Sequence, residues 1–509
     1  MGNSIDEGIQ SNSDESAGSN EGARVEENMP VSAQYVPKRD PTQATELVRL
    51  AEGARLFRNG DGEAFASFEN NRHTETYPLR SGDFRSYLAT RFCEERNQPP
   101  SSQALCDALN VLEGQAMQNP KTWPVHVRVA SGDGAMWLNL ADEKWRVVQV
   151  TASEGWRVLT KSPVYFRKPR GMKPLPEPVP GGSVEELRKF VNVGSEDDFI
   201  LLVHWIIAAL NADGPYPILV LQGEQGAAKS TTARIVRALV DPSASPIRSL
   251  PRSERDLMVS AKNGWILSYD NISKLSDQLA DAFCRLATGG GLSPRRLYSD
   301  DDEVLLDAKR PVILNGIEAL AVRSDLADRA IVLHLPTIPE TRRQLEGELW
   351  KEFNAAQSRI LGALLTAVQC ALHNEGSFKR PKYSRMADFH HRAVAATPGL
   401  PWDMEQFEAS YRANQATTRE TALEADGTAE AVKELVKQEP YWEGTPTDLL
   451  AALKEVASDE DTLPRGSNWL SNRLTRLAPA LREIGIEVVI NKQSKPKVVT
   501  IYCSPQFAL

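Results

Sequence analysis

The sequence predicts an α/β core with a helical region after it, an α+β domain before it, and a small domain of helices and a hairpin at the C-terminus. Three observations lead to this prediction. Apolar strand-like runs alternate with helical stretches through residues 183–338, as in parallel sheets covered by helices. Residues 125–159 alternate apolar and polar side chains between Gly/Asp turns, which is typical of an antiparallel sheet with one wet face. Residues 427–509 show three helical patterns followed by two strand patterns.

We place the domain boundaries where the composition changes. Residues 1–40 have almost no large apolar side chains and are predicted to be disordered. The P-L-P-E-P-V-P run at 174–180 predicts a stiff, extended linker. The predicted units are an acidic tail 1–40, an α+β domain 41–172 of open role, a linker 173–182, the α/β core 183–338, a helical lid region 339–426 and the C-terminal domain 427–509.

Composition narrows the class of protein. With 25% charged and 41% hydrophobic residues the chain resembles soluble globular proteins. Its five scattered cysteines form no C-x-x-C pair, which argues against a structural zinc site and for a reducing compartment. The longest apolar run, 199–210, is too short to span a membrane, and the acidic N-terminus is no signal peptide. We therefore predict a cytoplasmic protein without a membrane partner.

Net charge says little about nucleic acid as a partner. The chain carries a formal charge of −9. Acidic residues are concentrated near the N-terminus, however, and a ring that binds DNA can be acidic outside and basic only in its channel.

A short apolar run at 217–222 leads into the loop G-E-Q-G-A-A-K-S-T. Between a strand and a helix, such a loop turns backbone N–H groups inward at the positive end of the helix dipole, which suits the phosphates of ATP. The pattern G-x-x-x-x-G-K-[ST] is met except at Ala228, where the second glycine is expected; an ordinary strand-to-helix turn is the alternative. The predicted ATP-binding residues are Gly223, Glu224, Gln225, Gly226, Ala227, Ala228, Lys229, Ser230 and Thr231.

Polar residues follow the next two apolar runs. Asp270 and Asn271 end the run 264–269, and Asn315 ends the run 311–314. The Asp270 carboxylate and the Ser230 hydroxyl are predicted to hold Mg²⁺, and Lys229 to reach the β- and γ-phosphates. Asn315 is placed to position the attacking water. Asn271 stands where many such ATPases have a second acid, and its amide orients water but cannot accept a proton.

Arg329 directly precedes the fourth apolar run, 330–335. There it is placed to act as an arginine finger, a guanidinium that stabilises charge on the nucleotide of a neighbouring subunit. The alternative is an ion pair with Asp325, four residues earlier on a helix.

In these residues and their order, the chain resembles superfamily 3 helicases of the AAA+ class, especially the primase-helicase ATPases of phages, integrative elements and poxviruses. The likeness covers about residues 199–336. It implies a P-loop AAA+ core in a homo-oligomeric ring, expected to be a hexamer, with ATP and Mg²⁺ between subunits. It is carried by the segments Gly223–Thr231, Ser268–Asn271, Leu286–Tyr298, Pro311–Gly316 and Asp328–Val332.

The segment L-A-T-G-G-G-L-S-P-R-R-L-Y lies where this family inserts a hairpin into the ring channel. The likeness therefore implies that Arg295, Arg296 and Tyr298 contact a single DNA strand. Guanidinium groups pair with phosphate, and an aromatic ring stacks on a base. The acidic run 300–303 that follows would repel a nearby strand, or pair with arginines of a neighbouring subunit.

The C-terminal domain has the helix and strand order of a winged helix. Its third helix carries Arg473 and Arg476, and its hairpin tip carries Lys495 and Lys497. A helix in the major groove and a basic wing on the backbone would suit duplex DNA. The alternative is a winged helix that contacts protein.

These predictions together favour an ATP-dependent DNA helicase or translocase for mobile-element replication. The alternative is a nucleotide-gated DNA-binding initiator or regulator with little ATP turnover, which Ala228 and Asn271 favour. A third hypothesis, a signalling ATPase of host defence, has no residue that demands it.

Overall fold

The computed structural model describes residues 41–69, 73–290, 309–317, 320–321, 323–377, 384–459, 462–491 and 497–503. The chain divides into two compact units, Met1–Thr42 and Gln43–Leu509, and every element below belongs to the second. The predicted disorder of residues 1–40 falls outside the described residues.

The N-terminal part combines three helices with a three-stranded antiparallel sheet in the order β1-β2-β3. One apolar face of the sheet and the facing sides of the helices, including Leu47, Phe84 and Leu109, form one hydrophobic core. The elements are α1 (Gln43–Leu50), β1 (Ala54–Arg58), β2 (Ala64–Glu69), β3 (Thr74–Pro78), α2 (Gly82–Arg96) and α3 (Ser102–Gln118).

An antiparallel meander follows, as the alternating pattern predicted. Strands β5 to β8 pair in chain order, and β4 pairs with β9 in parallel. One face of the meander, with Met136, Leu138 and Val148, belongs to the same hydrophobic core as the α/β part of the chain. The strands are β4 (Val125–His126), β5 (Val129–Gly132), β6 (Ala135–Asn139), β7 (Val147–Thr151), β8 (Gly155–Leu159) and β9 (Tyr165–Phe166).

The α/β part is a four-stranded parallel sheet in the order β11-β12-β10-β13. Because the strands are parallel and packed on both faces, they are apolar runs without alternation. All carboxyl ends meet at one edge, where such sheets bind ligands. The elements are a 3₁₀ helix (Val184–Lys189), α4 (Glu196–Ala209), β10 (Ile218–Gln222), α5 (Lys229–Val240), α6 (Glu254–Asn263), β11 (Leu267–Ile272), α7 (Asp277–Thr288), β12 (Val312–Gly316), α8 (Ser324–Ala327) and β13 (Ala330–His334).

A buried ion pair joins the meander to this sheet. Arg128, between β4 and β5, is fully buried, and its Nε donates to Asp241 Oδ1 at 3.1 Å. The Asp241 Oδ2 accepts the backbone N–H groups of Trp265 at 3.0 Å and Ile266 at 3.1 Å. Burial lowers the pKa of Arg128, and the charge of Asp241 opposes that shift. One carboxylate at the end of α5 therefore binds two other segments of the chain.

The helical region contains α9 (Glu346–Asn374), α10 (Ala387–Ala396) and α11 (Met404–Glu424). The predicted linker lies along α9, and glycines permit this close approach. A Cβ on Gly362 would lie 2.0 Å from the carbonyl oxygen of Val179, and one on Gly182 would lie 2.2 Å from that of Arg359. By length and composition α9 is apolar enough to cross a membrane, but 50% of its most apolar window is buried in the molecule, as in the core helix of a soluble protein.

The C-terminal part has its own core, which includes Leu449, Leu470 and Ile501. The three predicted helices and two predicted strands are present. A third strand, β14, was not predicted; it has four residues, of which only Trp442 is buried. The antiparallel sheet has the order β14-β16-β15. The elements are α12 (Gly427–Gln438), β14 (Tyr441–Gly444), α13 (Pro446–Val456), α14 (Ser467–Glu483), β15 (Ile486–Asn491) and β16 (Val498–Cys503).

Candidate nucleotide-binding site

The predicted phosphate loop connects the carboxyl end of β10 to the amino end of α5. Gly223 lies so close to the end of β13 that a Cβ there would be 2.4 Å from the carbonyl oxygen of Leu335. Among the described residues no side chain caps α5, so its first N–H groups stay available to an anion. The loop therefore has the shape and polarity that a phosphate group requires.

Ala228 has a left-handed backbone conformation, with φ +57° and ψ 29°. This conformation explains why the pattern expects glycine here, since a residue with a Cβ loses about 1–2 kcal/mol in it. The departure from the pattern therefore strains the loop but leaves its path unchanged.

Replacing Ala228 by glycine should raise the free energy of unfolding by about 0.5–1 kcal/mol, because relief of the backbone strain exceeds the added entropy of the unfolded chain. Urea unfolding measures this change. Ala227→Gly is the matched control, since Ala227 is buried and does not have a positive φ; it should lower the stability. Equal destabilisation by both substitutions would contradict the strain argument.

Three polar side chains from three segments meet beside this loop. The Ser230 hydroxyl donates to Asp270 Oδ2 at 2.7 Å, and Asn315 Nδ2 lies 3.4 Å from the same hydroxyl oxygen. Asn315 is buried, and its Oδ1 has no hydrogen-bond partner among the described residues. A hydroxyl and a carboxylate are oxygen ligands of the kind Mg²⁺ prefers, and an amide oxygen without a partner can accept a hydrogen bond from a bound water. The residues present thus fit Mg²⁺ and a positioned water.

Lys229 folds back onto its own loop. Its ammonium donates to the carbonyl oxygens of Gly223 and Glu224, both at 2.7 Å. Burial lowers the pKa of Lys229, and the nearby charge of Asp270 opposes this effect. The Glu224 carboxylate accepts a hydrogen bond from the hydroxyl of Thr337 at 3.2 Å. The ammonium thus lies within the loop whose N–H groups would surround the phosphates.

Asn271 contributes a backbone contact that sequence patterns do not reveal. It has a left-handed φ of +56°, and its N–H donates to Asp270 Oδ1 at 2.8 Å. This contact holds one oxygen of Asp270 and leaves the other directed at Ser230. The Asn271 residue itself is exposed, and its catalytic role stays a prediction.

Arg329 lies at the opposite edge of the sheet from the loop. Its carbonyl accepts the N–H of Ile218, the first residue of β10, at 2.8 Å. The length of β10, roughly 13 Å, therefore separates it from the phosphate loop of its own chain. Its Nη1 donates to the backbone carbonyl of Asp325 at 2.8 Å, whereas the Asp325 carboxylate pairs with Arg323 at 2.8 Å. The expected alternative, an ion pair with the Asp325 carboxylate, is thus replaced by a backbone contact.

The predicted DNA contacts divide into two groups. Arg295, Arg296, Tyr298 and Lys495 lie outside the described residues. Arg473 and Arg476 lie on the exposed side of α14, and Lys497 is exposed just before β16. The guanidinium of Arg473 pairs with Asp426 at 2.9 Å, so this arginine already neutralises a carboxylate within the chain.

Comparison with known proteins gives two family matches. The model of the actinomycete integrative conjugative element replication protein matches residues 184–414. The model of the C-terminal domain of RepA from these elements matches residues 428–506. Together they cover more than half of the chain and all the predicted site residues. A search among curated proteins finds no match.

Two solved structures are similar over most of the chain. The active helicase Cch of SCCmec type IV is 12% identical over 88% of this chain and 93% of its own, with a TM-score of 0.45. The apo C-terminal region of NrS-1 is 12% identical over 91% of this chain and 100% of its own, with a TM-score of 0.40. TM-scores this low support no inference about function.

Proposed function

Because the chain belongs to the replication proteins of actinomycete integrative conjugative elements, we propose that it is an ATP-dependent DNA helicase or translocase acting in the cytoplasm on the DNA of such an element. We assign a P-loop AAA+ core to residues 183–338, a helical lid to 339–426 and a winged helix to 427–509. The observation that carries the proposal is the 2.7 Å contact between the Ser230 hydroxyl and the Asp270 carboxylate, beside the loop that ends β10.

Each site residue has one task in this proposal. ATP would supply the phosphoryl group whose transfer to water releases the free energy for movement, and Mg²⁺ would neutralise the charge on its oxygens. The loop N–H groups and the Lys229 ammonium hold phosphate oxygens. Ser230 and Asp270 hold the metal ion, while the amides of Asn271 and Asn315 orient water.

The position of Arg329 supports a ring. A finger that lies a full strand length from its own phosphate loop serves only a site on another subunit. A closed ring of head-to-tail contacts, which we propose to be a hexamer, gives every site one such arginine.

Arg329→Ala and Lys229→Ala proteins should each lose ATP hydrolysis, and a mixture of the two should regain about a quarter of the wild-type rate. In a random ring, that fraction of interfaces pairs an intact Lys229 with an intact Arg329. Phosphate release measures the effect, with Arg412→Ala as the exposed arginine control on α11. Full activity of the Arg329→Ala protein alone would contradict the finger.

A second candidate function is a nucleotide-gated DNA-binding initiator or regulator with little turnover. It is favoured by Asn271, whose amide cannot accept the proton of an attacking water. Phosphate release with and without single-stranded DNA distinguishes the two candidates. The helicase proposal expects hydrolysis that DNA stimulates; tight ATP binding without stimulated hydrolysis would favour the regulator instead.

A further inference from the structure

A groove of about 990 Å³ separates the α/β part from α14. One wall is formed by the turn after β11, with Ser273 and Lys274, and by Leu320 and Arg323 after β12. The other wall is formed by α14 and the segment before it. We call this space the α14 groove.

One face of α14 is turned into the groove. Trp469, Asn472, Arg473 and Arg476 all line it, and their spacing puts them on one side of a helix. Trp469 is 75% exposed, more than any other large apolar side chain in the described part of the chain. A tryptophan so exposed in a groove offers a flat surface on which another ring can stack.

The groove is basic although the whole chain is acidic. Its basic residues outnumber its acidic ones, Asp277, Asp325 and Asp426. Those three acids already pair with Arg323 or Arg473. Among the described residues, no carboxylate pairs with Lys274 or Arg465. The groove therefore has positive charge left for an anionic partner.

From this geometry we propose that the α14 groove binds single-stranded nucleic acid, with a base stacked on Trp469 and phosphates on Lys274 and Arg465. An aromatic ring among cations is the usual arrangement for single strands. A duplex does not fit, because its two backbones would have to flank α14. One flank of α14 is occupied by α8 and α11, and Arg419 pairs there with Glu483 at 2.9 Å.

The groove wall is close in sequence to two residues of the nucleotide site. Its inner wall includes the turn that begins shortly after Asp270 and the segment that follows Asn315. A nucleic-acid strand in the groove would therefore contact the chain segments that follow the predicted metal ligand and the predicted water-positioning amide. This inference rests on the proposed function, and it adds a path by which DNA stimulates hydrolysis.

The test uses the full-length protein and a fluorescent oligo(dT), with binding followed by anisotropy without ATP. Trp469→Ala should weaken binding about 10-fold, a loss typical of one stacked base, and Trp469→Phe should restore most of it. Arg465→Ala should reduce the slope of log affinity against log salt concentration by about one, the change expected for one lost phosphate contact. Trp469→Ala should leave this slope unchanged. Tyr441→Ala, which removes an exposed aromatic ring on β14, should bind as the wild type does.

Wild-type affinity of the Trp469→Ala protein would overturn the inference. If Trp469→Ala left oligo(dT) binding unchanged but weakened the binding of a fluorescent peptide of residues 1–30, which has seven acidic residues and one arginine, the inference would be replaced by an acidic-peptide site. Because oligo(dT) binding is measured without ATP, failure here leaves the proposed function intact. Failure of the proposed function would appear instead as wild-type protein without DNA-stimulated phosphate release.

Discussion

Replacing Lys229 by alanine is expected to lower the rate of phosphate release from ATP by at least about 100-fold. This is the usual loss when a protein loses one positioned group that stabilises charge in the transition state. The Lys229 ammonium, now on the carbonyls of Gly223 and Glu224, lies in the loop that would hold the phosphates. A coupled assay of phosphate release with excess Mg²⁺ measures the rate. The overall fold should persist, since the hydrogen bonds of this lysine within the described residues go to two carbonyl oxygens of its own loop.

Lys351→Ala is the matched control, because Lys351 is an exposed lysine on α9. Its rate should equal that of the wild type. If the Lys229→Ala protein hydrolyses ATP as fast as the control, the assignment of residues 223–231 as a P-loop would be contradicted.

Replacing Asp241 by alanine is expected to lower the free energy of unfolding by about 3–5 kcal/mol, the usual cost of leaving one buried charge without its partner. Arg128 would keep its guanidinium fully buried without the carboxylate. The N–H groups of Trp265 and Ile266 would also lose their acceptor. Chemical unfolding measures the loss.

Two further proteins make this prediction specific. Glu154→Ala removes an exposed partner of Arg157 and should cost less than about 0.5 kcal/mol. The double substitution Arg128→Met with Asp241→Leu should recover part of the loss, because it leaves no unpaired charge at position 128. It does not replace the carboxylate that Arg237 and the N–H groups of Trp265 and Ile266 contact. Equal stability of the Asp241→Ala and Glu154→Ala proteins would show that the buried pair does not stabilise the fold.

The meeting of polar residues at the ends of the parallel strands could be predicted from the sequence. Asp270 and Asn315 each close an apolar run, and the carboxyl ends of parallel strands must share one edge. Their meeting with Ser230 followed from that geometry alone. The predicted mixed α/β fold is confirmed, as is the resemblance to replication proteins of integrative elements.

Contacts between segments that are far apart in the sequence could not be predicted from local patterns. The V-H-V-R-V alternation at 125–129 predicted a strand with one wet face, yet Arg128 is fully buried. Its partner lies 113 residues away, and nothing in the local pattern indicates a carboxylate there. Likewise β1 and β14 were missed, because each has few buried residues and is held mainly by backbone pairing.

The surroundings of the α14 side chains that line the α14 groove could not be predicted from the sequence either. Arg473 and Arg476 were predicted to enter the major groove of duplex DNA from their position on the third helix. Both side chains are exposed and line the α14 groove, whose other wall belongs to the α/β part of the same chain, and their contact with duplex DNA stays a prediction. Helical spacing showed that they share a face but not what that face meets, which depends on packing with α8 and α11.

The central claim is that ATP hydrolysis at the Ser230–Asp270 site moves DNA strands apart. Strand separation of a forked duplex, followed by the loss of energy transfer between labels on its two strands, tests this most directly. The wild-type protein with ATP and Mg²⁺ should separate the strands, and should not do so with a non-hydrolysable ATP analogue. An intact fork under conditions in which the protein binds both ATP and DNA would contradict the claim.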